Sequence, residues 1–211
     1  MESIAMFFKN GGPFMYVISL ALISGIAISI ERIIVVSLKS RVDTRVFVKK
    51  VLEMIRGGNM TRAIEYCRYS KASLPLIMRS GLEQYQKGGS AADVQHAFEM
   101  AAMTEIPKME RRTHYLSMIA NVSTLLGLLG TIFGLITSFQ AVAQADAAQK
   151  AALLSGGISQ AMNTTAFGLI VAIPCLIAYT YLQEKTNTVI DEINESIARV
   201  FQKLMTQKGK A

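Results

Sequence analysis

Three long apolar runs divide the chain into membrane-like and water-like stretches. Asn10–Ile30 holds 21 residues without an Asp, Glu, Lys or Arg, and Thr113–Ala145 and Ala151–Gln183 hold 33 each. A bilayer-spanning helix needs about 20 apolar residues. A buried core helix is usually shorter and keeps a polar stripe. The pattern therefore predicts an all-α integral membrane protein with three transmembrane helices, at residues 14–35, 116–143 and 156–183. The first run exceeds the apolar segment of a signal peptide, about 7–15 residues, and ends at Glu31-Arg32 without a small-residue cleavage site, so it is expected to be retained as an anchor.

The stretches between the spans also read as helix. Ile33–Ile55 carries apolar residues at helical spacing, which predicts that the first span's helix runs on to Gly57-Gly58. Asn59 is placed to cap a helix over Met60–Tyr69. Pro75 is placed to open one over Leu76–Gln86, ending at Gly88-Gly89. Ser90 and Asp93 have capping-box spacing and start a third helix, expected to pass through Pro107 into the second span. Residues 36–115 thus form a helical loop domain, 144–155 a short loop, and 184–211 a terminal helix. Met1–Lys9 is amphipathic and, with the turn Gly11-Gly12-Pro13, makes residues 1–13 an interfacial or frayed segment. No sequence period supports a true repeat.

Charge sets the expected orientation. Of 22 Lys and Arg, 15 lie in Glu31–Arg112 and five in Glu184–Ala211; Lys9 and Lys150 are the exceptions. By the positive-inside rule the N-terminus and the 144–155 loop are periplasmic, and the loop domain and C-terminus cytoplasmic. The net charge of +7 does not point to nucleic acid, because acids such as Glu53, Glu65, Glu83 and Glu99 interleave the basic residues. Cys67 and Cys175 lie on different surfaces and are not expected to pair. The absence of CxxC and His/Cys clusters argues against a metal site, and no cofactor is expected. No nucleophile–base pair or phosphate-cradling loop supports an enzyme. Glu99, Glu105, Glu110, Arg111 and Arg112, near the cytoplasmic end of span two, are expected to form ordinary interhelical ion pairs.

The second and third spans carry small and polar seams. Thr124, Thr131 and Ser138 are seven apart and nearly share a helix face. Gly127, Gly130 and Gly134 lie on an adjoining strip with small-xxx-small spacing, the pattern of close helix contact in membranes. Span three offers Ala161, Thr165, Gly168, Ala172 and Cys175, with Gln160, Asn163 and Thr164 at its outer end. Pro174 leaves the carbonyl of Ile170 without a helical partner. Two readings fit these residues. One is plain packing by small residues; the other is the wall of an ion path. No span holds an Asp, Glu, Lys or Arg in its interior, and proton relays normally need a titratable group in the membrane. On the second reading the titrating acid comes from a partner.

The segments LLGLLGTIFGLITSF (125–139) and ISQAMNTTAFGLIVAIP (158–174), followed by Tyr179, resemble the second- and third-span motifs of the MotA/TolQ/ExbB proton channel family. Three spans and a helical cytoplasmic loop fit the ExbB/TolQ branch better than the four-span MotA branch. The resemblance implies a ring-shaped homo-oligomer, a pentamer, around a dimer of ExbD/TolR-like single-span partners that carry an intramembrane aspartate. It implies a bacterial inner-membrane subunit that couples proton flow to envelope work, with a TonB- or TolA-like protein downstream. Thr131 and Thr165 match the family's channel-lining threonines and would face the partner aspartate. Gln160 stands where the family often has a glutamate. It cannot titrate, so Gln160→Ala is expected to be mild. The competing expectation is a membrane scaffold without ion conduction.

Overall fold

The computed structural model describes residues 11–39, 43–70 and 72–208. Every regular element among them is a helix: α1 Phe14–Lys39, α2 Thr44–Arg56, α3 Met60–Arg68, α4 Ser73–Gln86, α5 Ala91–Glu110, α6 His114–Gln144 and α7 Lys150–Lys208. The chain divides into two compact units. One combines the residues up to Glu31 with Arg112–Tyr181; the other combines Arg32–Arg111 with the residues from Leu182 onward. The amphipathic reading of Met1–Lys9 falls outside the described residues.

The first unit packs α1, α6 and the first half of α7 around a short apolar core and a stripe of small residues, and leaves many large apolar side chains outside. Its core includes Met15, Ile18, Ile119, Ala120, Phe167, Val171, Ala172 and Cys175. On α6 the buried stripe runs Ile119, Ser123, Gly127, Gly130, Gly134, Ser138, at steps of three and four. Leu125, Leu128, Ile132, Ile136 and Phe139 of the same helix are exposed, as are Val17, Leu20, Ile23 and Ile26 of α1 and Ile170, Ile173 and Ile177 of α7. Water would favour the reverse arrangement, because burying large apolar side chains is what stabilises a soluble core. Lipid removes that preference and leaves close backbone packing to hold helices together. With three helices long and apolar enough to cross a bilayer, the chain is a multi-pass membrane protein. Ser19 and Ser24 return their hydroxyls to the Met15 and Leu20 carbonyls four residues back, so α1 needs no polar partner for them.

The second unit surrounds an apolar core that includes Phe47, Val51, Ile55, Ile77, Leu82, Phe98, Ile193 and Leu204. The first span's helix does not continue to Gly57 as its periodicity suggested. It ends at Lys39, and α2 starts afresh at Thr44 with Asp43 as N-cap. The Asp43 carboxylate accepts from the Arg45 and Val46 amides, both at 3.1 Å, meeting two of the donors that a helix start leaves unpaired. Asn59 precedes α3 but makes no side-chain cap bond. Pro75 does not open α4; the helix begins two residues earlier at Ser73. At Ser90 the capping box is complete, with Ser90 accepting from the Asp93 amide and Asp93 from the Ser90 amide.

A second interruption separates α5 from α6, where one helix was expected. α5 passes Pro107 and stops at Glu110, and Arg112 adopts a left-handed conformation with φ 69°. Such a φ is uncommon for a residue with a side chain. The Arg32 guanidinium, buried in the second unit, donates to the Met109 carbonyl, one of the last-turn carbonyls that lack a helical donor. In the first unit, Arg112 pairs with Glu31 at 2.7 Å. Both side chains are partly exposed to solvent, so this pair contributes no more than about 1 kcal/mol.

Candidate functional site: the hydroxyl pair between the second and third spans

The glycines of α6 bring its backbone onto α7. A Cβ on Gly127 would lie 3.2 Å from Thr165 Cα and 3.4 Å from Gly168 Cα. One on Gly134 would lie 3.2 Å from the Ala161 Cβ, and one on Gly168 would lie 2.6 Å from the Ser123 carbonyl oxygen. On Gly130 it would collide with the Thr164 methyl. Gly127, Gly130, Gly134, Ala161, Gly168 and Ala172 are therefore packing residues within a single chain, all buried.

That close approach brings two hydroxyls together at the edge of the contact. Thr131 and Thr165, both half-buried, meet oxygen to oxygen. Thr165 Oγ1 donates to the Gly127 carbonyl at 3.0 Å, and Thr131 Oγ1 reaches the same carbonyl at 3.1 Å. Each hydroxyl has one proton and two lone pairs. Either hydroxyl can donate to the other, which then donates to Gly127, or both can donate to Gly127. Either way both protons stay inside the helix pair. The open capacity of the pair is as acceptor, toward an incoming O–H group of a neutral acid or a water.

The other residues expected on these faces separate. Thr124 is exposed and returns its hydroxyl to Ala120 at 3.1 Å; Ser138 is buried and donates to the Leu153 carbonyl at 3.1 Å. Thr124, Thr131 and Ser138 do not make one continuous seam. Thr164 is buried and donates to the Gly11 carbonyl at 2.7 Å, away from the Thr131–Thr165 edge. Gln160 lies against Gly12. Pro174 is exposed within the unbroken α7.

Ser123 escaped the sequence reading. It is fully buried on the glycine stripe, and its hydroxyl has no hydrogen-bond partner among the described residues. Its signal was present, four residues before Gly127, but the heptad line through Thr124 drew attention one position too far. His114, at the other end of the unit, tilts against Tyr179 with ring centres 6.0 Å apart.

No group of three or more His, Cys, Asp or Glu side chains converges among the described residues. A groove of about 570 Å³ in the second unit is lined by both charge signs, including Arg45, Lys49, Glu53, Arg56, Glu192 and Glu195. It has no concentration of one charge that would favour nucleic acid.

Fold and site together define a multi-pass helical membrane protein with a hydroxyl pair at one helix–helix edge. Residues 70–195, more than half of the chain, match the model of the MotA/TolQ/ExbB proton channel family, and the chain belongs to that family. A biopolymer transport protein ExbB homolog of Methanothermobacter thermautotrophicus is 30% identical over 188 residues, 88% of this chain and 65% of that protein. The Tol-Pal system protein TolQ of Haemophilus influenzae is 36% identical over 93 residues, 44% of this chain and 40% of that protein. The matched stretch thus spans less than two thirds of either relative's length. These names and others of the same kind put the chain on the ExbB/TolQ branch. Among solved structures, C. jejuni MotAB shares the fold, with TM-score 0.62 at 14% identity over 92% of this chain and 80% of that one.

Proposed function

We propose that this chain is the wall-forming subunit of an inner-membrane stator that couples proton flow to work at the cell envelope. The observation that carries the reading is the Thr131–Thr165 hydroxyl pair at the edge of two membrane helices, in spans that own no carboxylate. A proton path through the bilayer needs a titratable group, so the acid belongs to a partner. A single-span ExbD/TolR-like protein with an intramembrane aspartate meets that need. A homopentameric ring of this chain around two such helices, with a TonB- or TolA-like protein receiving the motion, completes the assembly. The N-terminus and the 144–155 loop are periplasmic in this reading.

The pair has a definite chemical bias. With its protons held between the two hydroxyls and the Gly127 carbonyl, it accepts from a protonated carboxyl and offers little to a carboxylate. The wall therefore favours the neutral acid, and an aspartate facing it holds its proton until it moves on. Gln160, without charge, adds no relay group.

The test is hydroxyl removal at constant shape. Thr131→Val and Thr165→Val are each expected to lower energised function about tenfold or more, the scale of a lost hydrogen bond in a low-dielectric site. Thr131→Ser and Thr165→Ser should retain most of it, with assembly unchanged in all four variants. Valine variants that work at wild-type level would leave the scaffold reading, which the close glycine packing already suits.

A further inference from the structure

The turn before α1 is fastened to the outer ends of both other spans, and we propose that Thr164 is a positioning residue. On this proposal it straps the N-terminal turn across α6 and α7 and holds the notch that sets the Thr131–Thr165 pair. Its buried hydroxyl donates to the Gly11 carbonyl at 2.7 Å and lies 2.9 Å from the Gln160 carbonyl of its own helix. Gly11 is itself buried. Gly12 follows with φ 75°, a conformation that favours glycine, and the Gln160 side-chain amide occupies the space where a Cβ would stand. Phe14 then sets its ring edge-on to Phe133 of α6, centroids 5.7 Å apart at 67°. Gly11 and Gly12 thus touch α7 through Thr164 and Gln160, and Phe14 touches α6 through Phe133.

Thr164 also works in the opposite direction. Its methyl fills the notch at Gly130. Gly130 adjoins Thr131, and Thr164 adjoins Thr165. The side chain that holds the turn therefore also spaces the helices one residue from the hydroxyl pair. Gln160 and Thr164, polar groups that suggested a path lining, serve this chain's own N-terminal turn. The glutamine at 160 has a use here that needs no titration: its uncharged amide packs against the glycine backbone.

The functional consequence rests on the wall reading above, but the strap itself is measurable without ion flow. Hydrogen exchange is followed by mass spectrometry on the full chain in lipid nanodiscs. Thr164→Val keeps the shape in the Gly130 notch and removes the donor to Gly11. It should speed exchange of the Met15 and Tyr16 amides, which bond back to Gly12 and Pro13, by about tenfold, the fold-change of one lost buried hydrogen bond. Thr164→Ser should restore protection to within about twofold of wild type, by the same argument. Gly12→Ala, which leaves Thr164 intact but has no room beside Gln160, should loosen the same amides; it also serves if Thr164→Val does not fold. Wild-type exchange in Thr164→Val, or in Gly12→Ala where the valine variant is lost, overturns the strap. So does a serine variant as loose as the valine one. A failed ion-flow assay with normal strap protection counts against the wall reading alone.

Discussion

Gly168 and Gly156 sit on the same helix, yet only one of them is committed to a contact. A Cβ at Gly168 would press on the Ser123 carbonyl oxygen at 2.6 Å, whereas one at Gly156 meets nothing within 4 Å. Gly168→Ala must part the two spans and should destabilise the fold by about 1–3 kcal/mol, the usual cost of overpacking. Gly156→Ala should be neutral or gain up to about 1 kcal/mol of helix propensity. Thermal unfolding in detergent with a thiol-reactive dye reads both; equal effects would mean that the helix contact is looser than described. The glycine spacing was legible because residues three and four apart share a helix face. The hydroxyl line was legible only in part. An α-helix drifts about 20° per heptad, and across the fourteen residues from Thr124 to Ser138 that drift separates an exposed threonine from a buried serine. The meeting of Thr131 with Thr165 was not readable from either span alone, since it depends on how deeply Gly127 lets α7 approach.

At the scale of elements, boundaries with a strong local signal were easier to read than those fixed by distant residues. Ser90 and Asp93 carry a local signal and form their capping box. Asp43 carries one too, but the apolar rhythm from Ile33 to Ile55 ran across it and suggested a single helix. The end of α5 has no local signal of that kind: Pro107 is accommodated, and the Met109 carbonyl is taken by Arg32, 77 residues away in sequence. The capping box makes the start of α5 sensitive to pH. Hydrogen bonds from Ser90 hold the Asp93 carboxyl below its ordinary pKa of 3.8, with the Lys208 and His96 charges adding to the shift. A depressed folded-state pKa stabilises the fold above the unfolded value, and that contribution is lost as pH falls through the folded value. Exchange of the Val94 amide, which bonds to the Ser90 carbonyl, should therefore rise below about pH 4 relative to its intrinsic rate. In Asp93→Asn that pH response should vanish; if it persists, the box is not its source. In α3, burial pushes the Cys67 thiol up to about 12, with Arg79 opposing. The thiolate is the reactive species, so Cys67 should resist alkylation at pH 8 until the second unit is unfolded. Rapid labelling of the native protein would show that the α3 packing opens readily.

For the molecule as a whole, the three apolar runs carried most of the information, because lipid imposes a length that water does not. The inversion of packing follows from the same cause: small residues draw the spans together, and large ones such as Leu125 and Ile173 face outward. What the chain lacks is as informative as what it holds. It supplies hydroxyls, glycines and a strap, and no acid in the interior of any span, so the wall reading stands or falls with the hydroxyl pair. The decisive measurement is proton uptake into sealed vesicles carrying this chain together with an ExbD/TolR-like partner, driven by an imposed potential and read by an internal pH dye. The wild-type complex should conduct, and the Thr131→Val/Thr165→Val double variant should fall by about tenfold or more with the complex still assembled. Conduction at the wild-type rate in the double variant would contradict the proposal that these two threonines line the path.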